Sequence, residues 1–126
     1  MIRGVVNAGR EPTIPLRVVG LEQTEVAVTA VVDSGFSHHL ALPAGLIAGL
    51  SLLRVRDRAL VLADGSTRQV PAYSGVVDWH GAPRGVIILA VGTEPLVGMM
   101  LLGDGELWME CWPGGAVEIT PAGPTP

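Results

Sequence analysis

Asp33 ends a run of apolar, β-branched residues, Val31-Val32-Asp33, and is followed by Ser34 and Gly35. A carboxylate at the end of such a strand is held by stiff backbone. A glycine two residues later lets the chain turn sharply where a side chain would clash, so the acid projects from a rigid element. The same three residues also suit a plainer role, an aspartate that caps the turn after a strand. The tripeptide alone does not separate the two.

Other residues with reactive chemistry are less well placed. His38 and His39 are adjacent, so on a strand they would face opposite sides and could not share one metal ion without an irregular backbone. Ser37 beside His38 is not set in a nucleophile elbow. Met99 and Met100 run into Leu101 and Leu102 and read as core. Cys111, between Met109 and Trp112, reads as an inert packed thiol, and Tyr73 as a packed strand residue. No metal and no cofactor is expected. A single cysteine excludes an intramolecular disulfide and a cysteine zinc cluster, which suits a reducing cytosol.

The elements that must hold Asp33 are strands. Charged residues make up only 16% of the chain against 48% apolar, and 17 Gly and 10 Pro favour short strands and tight turns over long helices. The expected class is all-β with one or two short helices. Ile14, Leu16 and Val18 alternate with their neighbours, as do Val26, Val28, Ala30 and Val32, with Gly20 to Gln23 as the loop between two half-buried strands. Pro43 opens a short helix in which Leu46, Ile47 and Leu50 share a face. Ala59–Ala63 and Ser66–Val70 flank Asp64-Gly65, which predicts a protruding hairpin with a two-residue turn. Further hairpins are expected around 80–83 and 113–115. A weak internal echo relates Val31 to Gly35 and the helix after it to Leu96-Val97-Gly98 and the apolar run 99–102, which implies two similar halves.

At 126 residues the chain fits one domain, taken as 1–120, with 121–126 as a flexible tail. Chemistry that needs two symmetric half-sites would then need two chains. Eight arginines, no lysine and twelve acidic residues give a net charge of −4, and no basic cluster interleaves with aromatics, so a nucleic-acid surface is not expected. Every apolar run is broken well before the ~18 residues of a membrane span. The expectation is a soluble cytoplasmic protein with no membrane partner.

Several segments, in order, resemble the retropepsin-like aspartic proteases of clan AA. The run Val31-Val32-Asp33-Ser34-Gly35-Phe36 through Leu40-Ala41-Leu42-Pro43 is similar to the active-site strand of a small prokaryotic group with an Asp-Thr/Ser-Gly-Phe motif. Ala63-Asp64-Gly65-Ser66 falls where that family has its flap, and Leu96-Val97-Gly98 through Leu102 resembles its second hydrophobic-hydrophobic-Gly element. The resemblance covers roughly residues 14–119 and rests on the ordered set. It implies a closed acid-protease barrel and a homodimer in which Asp33 of each copy forms a catalytic dyad that hydrolyses peptide bonds. Ser34, Gly35 and Gly98 would support the active-site loop, and Ala63, Asp64, Gly65 and Ser66 would cover the substrate. Phe36 and Met100 depart from residues common in the family, a small hydroxyl or Ala residue and Asp or Asn. The alternative is a catalytically silent module of the same fold that dimerises or binds peptide.

Overall fold

A computed structural model describes residues 1–123. Its elements in chain order are β1 (Ile2–Val6), β2 (Pro12–Val19), β3 (Glu25–Val32), β4 (Leu40–Leu42), α1 (Ala44–Ala48), β5 (Leu53–Val61), β6 (Thr67–Trp79), β7 (Ala82–Ala90), β8 (Leu96–Val97), α2 (Met99–Leu102), β9 (Glu106–Met109) and β10 (Ala116–Thr120). The chain is all-β with two helices of about one turn.

Six strands close on themselves. Neighbours run β2-β3-β8-β4-β7-β6, and β6 returns to β2 through Val18↔Val77 and Val19↔Val76, which makes a closed barrel. The edge of β2 that accepts β6 at one end accepts β1 at the other, through Val5↔Thr13 and Val6↔Pro12. Beyond β1 the sheet continues outward as β10 and then β9, whose far edge pairs with no strand among the described residues. At the opposite end β5 hangs from β6 alone.

Side-chain alternation explains the barrel walls. In β2, Ile14, Leu16 and Val18 are buried while Pro15 and Arg17 face solvent. In β3 the alternation stops at Ala30, and Ala30, Val31 and Val32 are all buried where β8 joins the strand. Leu40, Leu42, Leu50, Ile88, Val97 and Leu101 fill the interior with Ile14. Phe36, Ala41, Val70, Ala72 and Leu89 form a second, smaller cluster where the β5–β6 arm leaves the barrel.

Two halves are visible in the fold, but the counterpart of β8 is β4 and not the Asp33 segment at the end of β3 that the sequence echo matched to it. β8 runs parallel to β3 and β4 runs parallel to β7, while β4 and β8 lie antiparallel side by side between them. Each half thus places its short strand against the other half's hairpin, and a one-turn helix follows each short strand.

Some expectations need correction. The turn after β5 is not a two-residue one. The Leu62 N–H bonds the Ser66 carbonyl at 2.8 Å and the Gly65 N–H bonds the Leu62 carbonyl at 2.9 Å, so three residues lie between the closing pair. Gly65 there has φ +84°, the left-handed position that ends such a loop. The two-residue turn occurs instead at His80-Gly81, both with positive φ, so Ala82 and Pro83 already belong to β7. Met99 and Met100 are 48% and 53% exposed rather than core, and only Leu101 and Leu102 of α2 point inward. Cys111 is exposed, in the loop after β9, not packed in a strand. Residues 121–123 are exposed and irregular, while the rest of the expected tail lies outside the described residues. Among the described residues, no helix is long and apolar enough to cross a membrane.

Candidate functional site

Asp33 is the first residue beyond β3, and its position is fixed from both directions along the chain. Upstream, the Val31 N–H bonds the Pro95 carbonyl at 2.9 Å. At the residue itself, the Asp33 N–H bonds the Val97 carbonyl at 2.8 Å. Downstream, the Phe36 N–H reaches back to the Asp33 carbonyl at 3.1 Å, and the Gly35 N–H donates to Asp33 Oδ1 at 2.9 Å. That last bond is what a turn-capping aspartate makes, so the capping role is real. It occupies one lone pair of one oxygen and leaves the carboxylate half-buried at a cleft.

The loop 33–39 is held from beneath by the start of α2. The Gly98 N–H bonds the His39 carbonyl at 3.0 Å, the Met99 N–H the Phe36 carbonyl at 2.8 Å, and the Met100 N–H the His38 carbonyl at 3.2 Å. Gly98 makes this approach possible. A β-carbon on it would collide with the His38 carbonyl and would lie 2.6 Å from the Phe36 carbonyl oxygen and 2.7 Å from the Phe36 ring. Gly35 is less constrained, with an added β-carbon 3.3 Å from Asp33 Oδ1 and no positive φ. Its smallness keeps the space over the carboxylate open.

An open cleft of about 520 Å³ adjoins Asp33 and Ser34. Val31, Val32 and Leu96 form its barrel side, Leu107 and Met109 of β9 a second wall, and Arg10, Glu11, Pro12 and Glu94 its polar rim. Sequence reading had singled out none of these rim and β9 residues. The alternation of Leu107 and Met109 could have placed those two on one face of β9. Nothing local could have placed Arg10, which sits at φ +63° in the β1–β2 turn, against a strand twenty residues away.

Asp33, Ser34, Gly35 and Gly98 therefore come together, and the hairpin tip stands apart. Ala63, Asp64, Gly65 and Ser66 are exposed and do not line the cleft at Asp33. The Ser66 hydroxyl, and then its N–H, donates to Asp64 and holds that carboxyl below the usual range. This stabilises the tip and brings no reactive group near Asp33.

His38 and His39 differ from expectation because the backbone there is bent rather than extended, so both line one small cavity with Arg58, Ile87 and Met100. Phe36 stacks obliquely on His38 at 5.3 Å between ring centres. His39 Nδ1 accepts the Ile87 N–H at 3.4 Å, and burial first, then the charges of Arg84 and His38, lower its pKa. No group of three or more His, Cys, Asp or Glu side chains that could hold a metal occurs among the described residues.

Comparison of the chain with protein-family models, with curated proteins and with solved structures finds no match.

Two outcomes follow from this geometry. Gly98→Ala forces the new methyl against two backbone carbonyls, so a loss of about 1–3 kcal/mol or more is expected in urea unfolding. His39 binds a proton less readily when folded than when unfolded. Its contribution to stability is therefore present above the unfolded value of 6.5 and is lost as pH falls through 6.5 towards the lower folded value. Urea midpoints measured across that range should fall with acidification, and His39→Gln should flatten the profile.

Proposed function

We propose that the chain is one protomer of a homodimeric, retropepsin-like aspartic endopeptidase in which Asp33 of each copy supplies half of a carboxylate dyad. The observation that carries this reading is the placement of Asp33. It stands at the end of a barrel strand, fixed by backbone bonds on both sides, and faces an open cleft with a partly apolar wall. The ordered resemblance from the Asp33 loop through Gly98 supports it independently. One free cysteine suits the cytosol as its place of action.

A dyad needs a second copy of the loop, and the protomer has a surface suited to one. β9 ends the sheet with an unpaired edge, Trp108 on it is 53% exposed, Trp112 just beyond it is 56% exposed, and Met99 and Met100 stand out from α2 beside the Asp33 loop. A long-lived monomer would leave strand edge and apolar area open to association. A two-fold axis near β9 would bury both and bring the two loops face to face.

Two carboxylates about 3 Å apart share one proton, because ionising both is too costly. The charged member takes a proton from a water molecule as that water attacks the peptide carbonyl. The protonated member donates to the carbonyl oxygen. Collapse of the tetrahedral intermediate breaks the C–N bond, with a proton delivered to the leaving amine. Ser34 locks the two loops across the axis, Gly35 admits the substrate backbone, and the β5–β6 arm closes over an extended peptide. The pair titrates as a unit.

The decisive comparison is cleavage of a mixed peptide library between pH ~4 and ~7 by wild type and by a folded Asp33→Asn protein. The expected loss is about 10²–10⁴-fold or more. Absence of cleavage by wild type at every pH and concentration would leave the silent peptide-binding module as the better reading. Trp108→Glu tests the interface. It should leave the circular dichroism of the protomer unchanged, weaken dimerisation roughly 10–30-fold in sedimentation, and make activity fall faster than linearly on dilution.

A further inference from the structure

We infer that the cavity ringed by His38, His39, Arg58, Ile87 and Met100 is a substrate subsite that takes an acidic side chain, an inference that rests on the peptidase reading above. The cavity measures about 200 Å³. Its lining comes from both sides of the path a peptide would follow. His38 and His39 belong to the loop that carries Asp33, Met100 to the helix that holds that loop through the His38 carbonyl, and Arg58 to β5, the outer strand of the arm. A peptide laid across Asp33 and under the arm would place side chains between these elements.

The charge around this cavity runs against that of the chain. The protein is net negative, yet no Asp or Glu lines the cavity. The β5–β6 arm from residue 53 to 70 carries Arg54, Arg56, Arg58 and Arg68 against only Asp57 and Asp64. Asp57 is already bonded to Arg54 at 2.8 Å, and Asp64 is turned to Ser66. Arg58 makes no ion pair among the described residues. Behind Met100, the Arg84 guanidinium donates to the Met100 and Leu101 carbonyls at 3.2 and 3.1 Å and adds a second fixed positive charge.

The lining also has the shape of a recognition site for a short acid. Ile87 and Met100 offer apolar surface for methylene groups, and Arg58 offers a fork of N–H donors for a carboxylate. His39 Nδ1 is taken by the Ile87 amide, so that imidazole is held in place rather than free to swing. A glutamate entering the cavity gains a charge-assisted hydrogen bond, glutamine a weaker one, and lysine or arginine meets like charge. In a two-fold dimer the cavity occurs twice, once on each side of the scissile bond. The acidic preference should therefore appear on both sides, at matching distances from it.

The test uses paired peptide libraries, identical except that one carries Glu and the other Gln at each position in turn. Cleavage by wild type and binding to the Asp33→Asn protein are both measured. Wild type is expected to favour Glu over Gln about 10- to 100-fold at one position on each side of the bond. Arg58→Gln should bring that ratio close to one, and Arg58→Lys should keep part of it. Equal treatment of Glu and Gln at every position, or a ratio that survives Arg58→Gln, would overturn the subsite. Failure of the peptidase reading looks different. Wild type would then cleave nothing, while the Asp33→Asn protein would still bind the Glu peptides more tightly in an Arg58-dependent way, and the subsite would stand as a peptide-binding pocket.

Discussion

The backbone hydrogen bonds between the loop 33–39 and the segment 97–100 are the constraint on which the rest of the site depends. Four amides take part, those of Asp33, Gly98, Met99 and Met100, and they tie two segments about sixty residues apart in sequence into one unit. Main-chain bonds of this kind fix position without committing side chains, so Asp33, Ser34 and His38 stay free to face outward. They also demand very close approach, which only a residue without a β-carbon at position 98 permits. The loop's position is thus set by main-chain contacts, and the carboxylate's orientation by the Gly35 N–H within it.

That contact can form because the halves of the barrel interpenetrate. β4 and β8 are only three and two residues long, too short to persist as free strands, yet each is paired on both sides, parallel to one hairpin and antiparallel to each other. Leu40, Ala41, Leu42 and Val97 are fully buried as a result. The helices that follow are equally short, and their order comes from Leu50, Leu101 and Leu102 packing into the interior rather than from helix propensity.

Much of this was legible in the sequence where one physical signal dominated. The alternation of Ile14, Leu16 and Val18 marked a wall of the barrel, the Pro43 start marked the helix, and the weak echo of Val31 to Gly35 in Leu96-Val97-Gly98 pointed to two halves, although it matched β8 to the end of β3 instead of to β4. The signal failed where a segment has no single buried face. The first part of β5, Leu53 to Arg58, is exposed almost throughout because the arm stands away from the barrel, so the alternation of Leu53 and Val55 with Arg54 and Arg56 marks no buried face. β1 was missed because Arg3 and Gly4 interrupt a five-residue strand whose stability comes from pairing with β2 and β10. Met99 and Met100 were misread for a different reason. Apolar character alone does not place a residue on the inner face of a one-turn helix, and only Leu101 and Leu102 reach the interior. At the candidate site, Asp33, Ser34 and Gly35 could be named together because they are neighbours in one motif, and Gly98 through the resemblance; the fold places them side by side. The rim residues Arg10, Glu11 and Glu94 were not named, since only the folded chain brings the β1–β2 and β7–β8 turns to one opening.

The way β2 divides its edge has a mechanical meaning. The leaf made of β1, β10 and β9 joins the barrel through two register pairs, Val5↔Thr13 and Val6↔Pro12, reinforced by the Thr13 hydroxyl on the Val5 carbonyl at 2.6 Å. Leu107 and Met109 ride on that leaf, whereas Val31, Leu96 and Asp33 belong to the barrel. Val6, Val117 and Ile119 of the leaf are buried in the same core as Ile14, Leu40 and Val97, so the two walls of the cleft rest on one packed interior and not on strand pairing alone. The span of the opening over Asp33 is therefore held by side-chain packing from behind, and it is as stiff as the interior that the leaf and the barrel share.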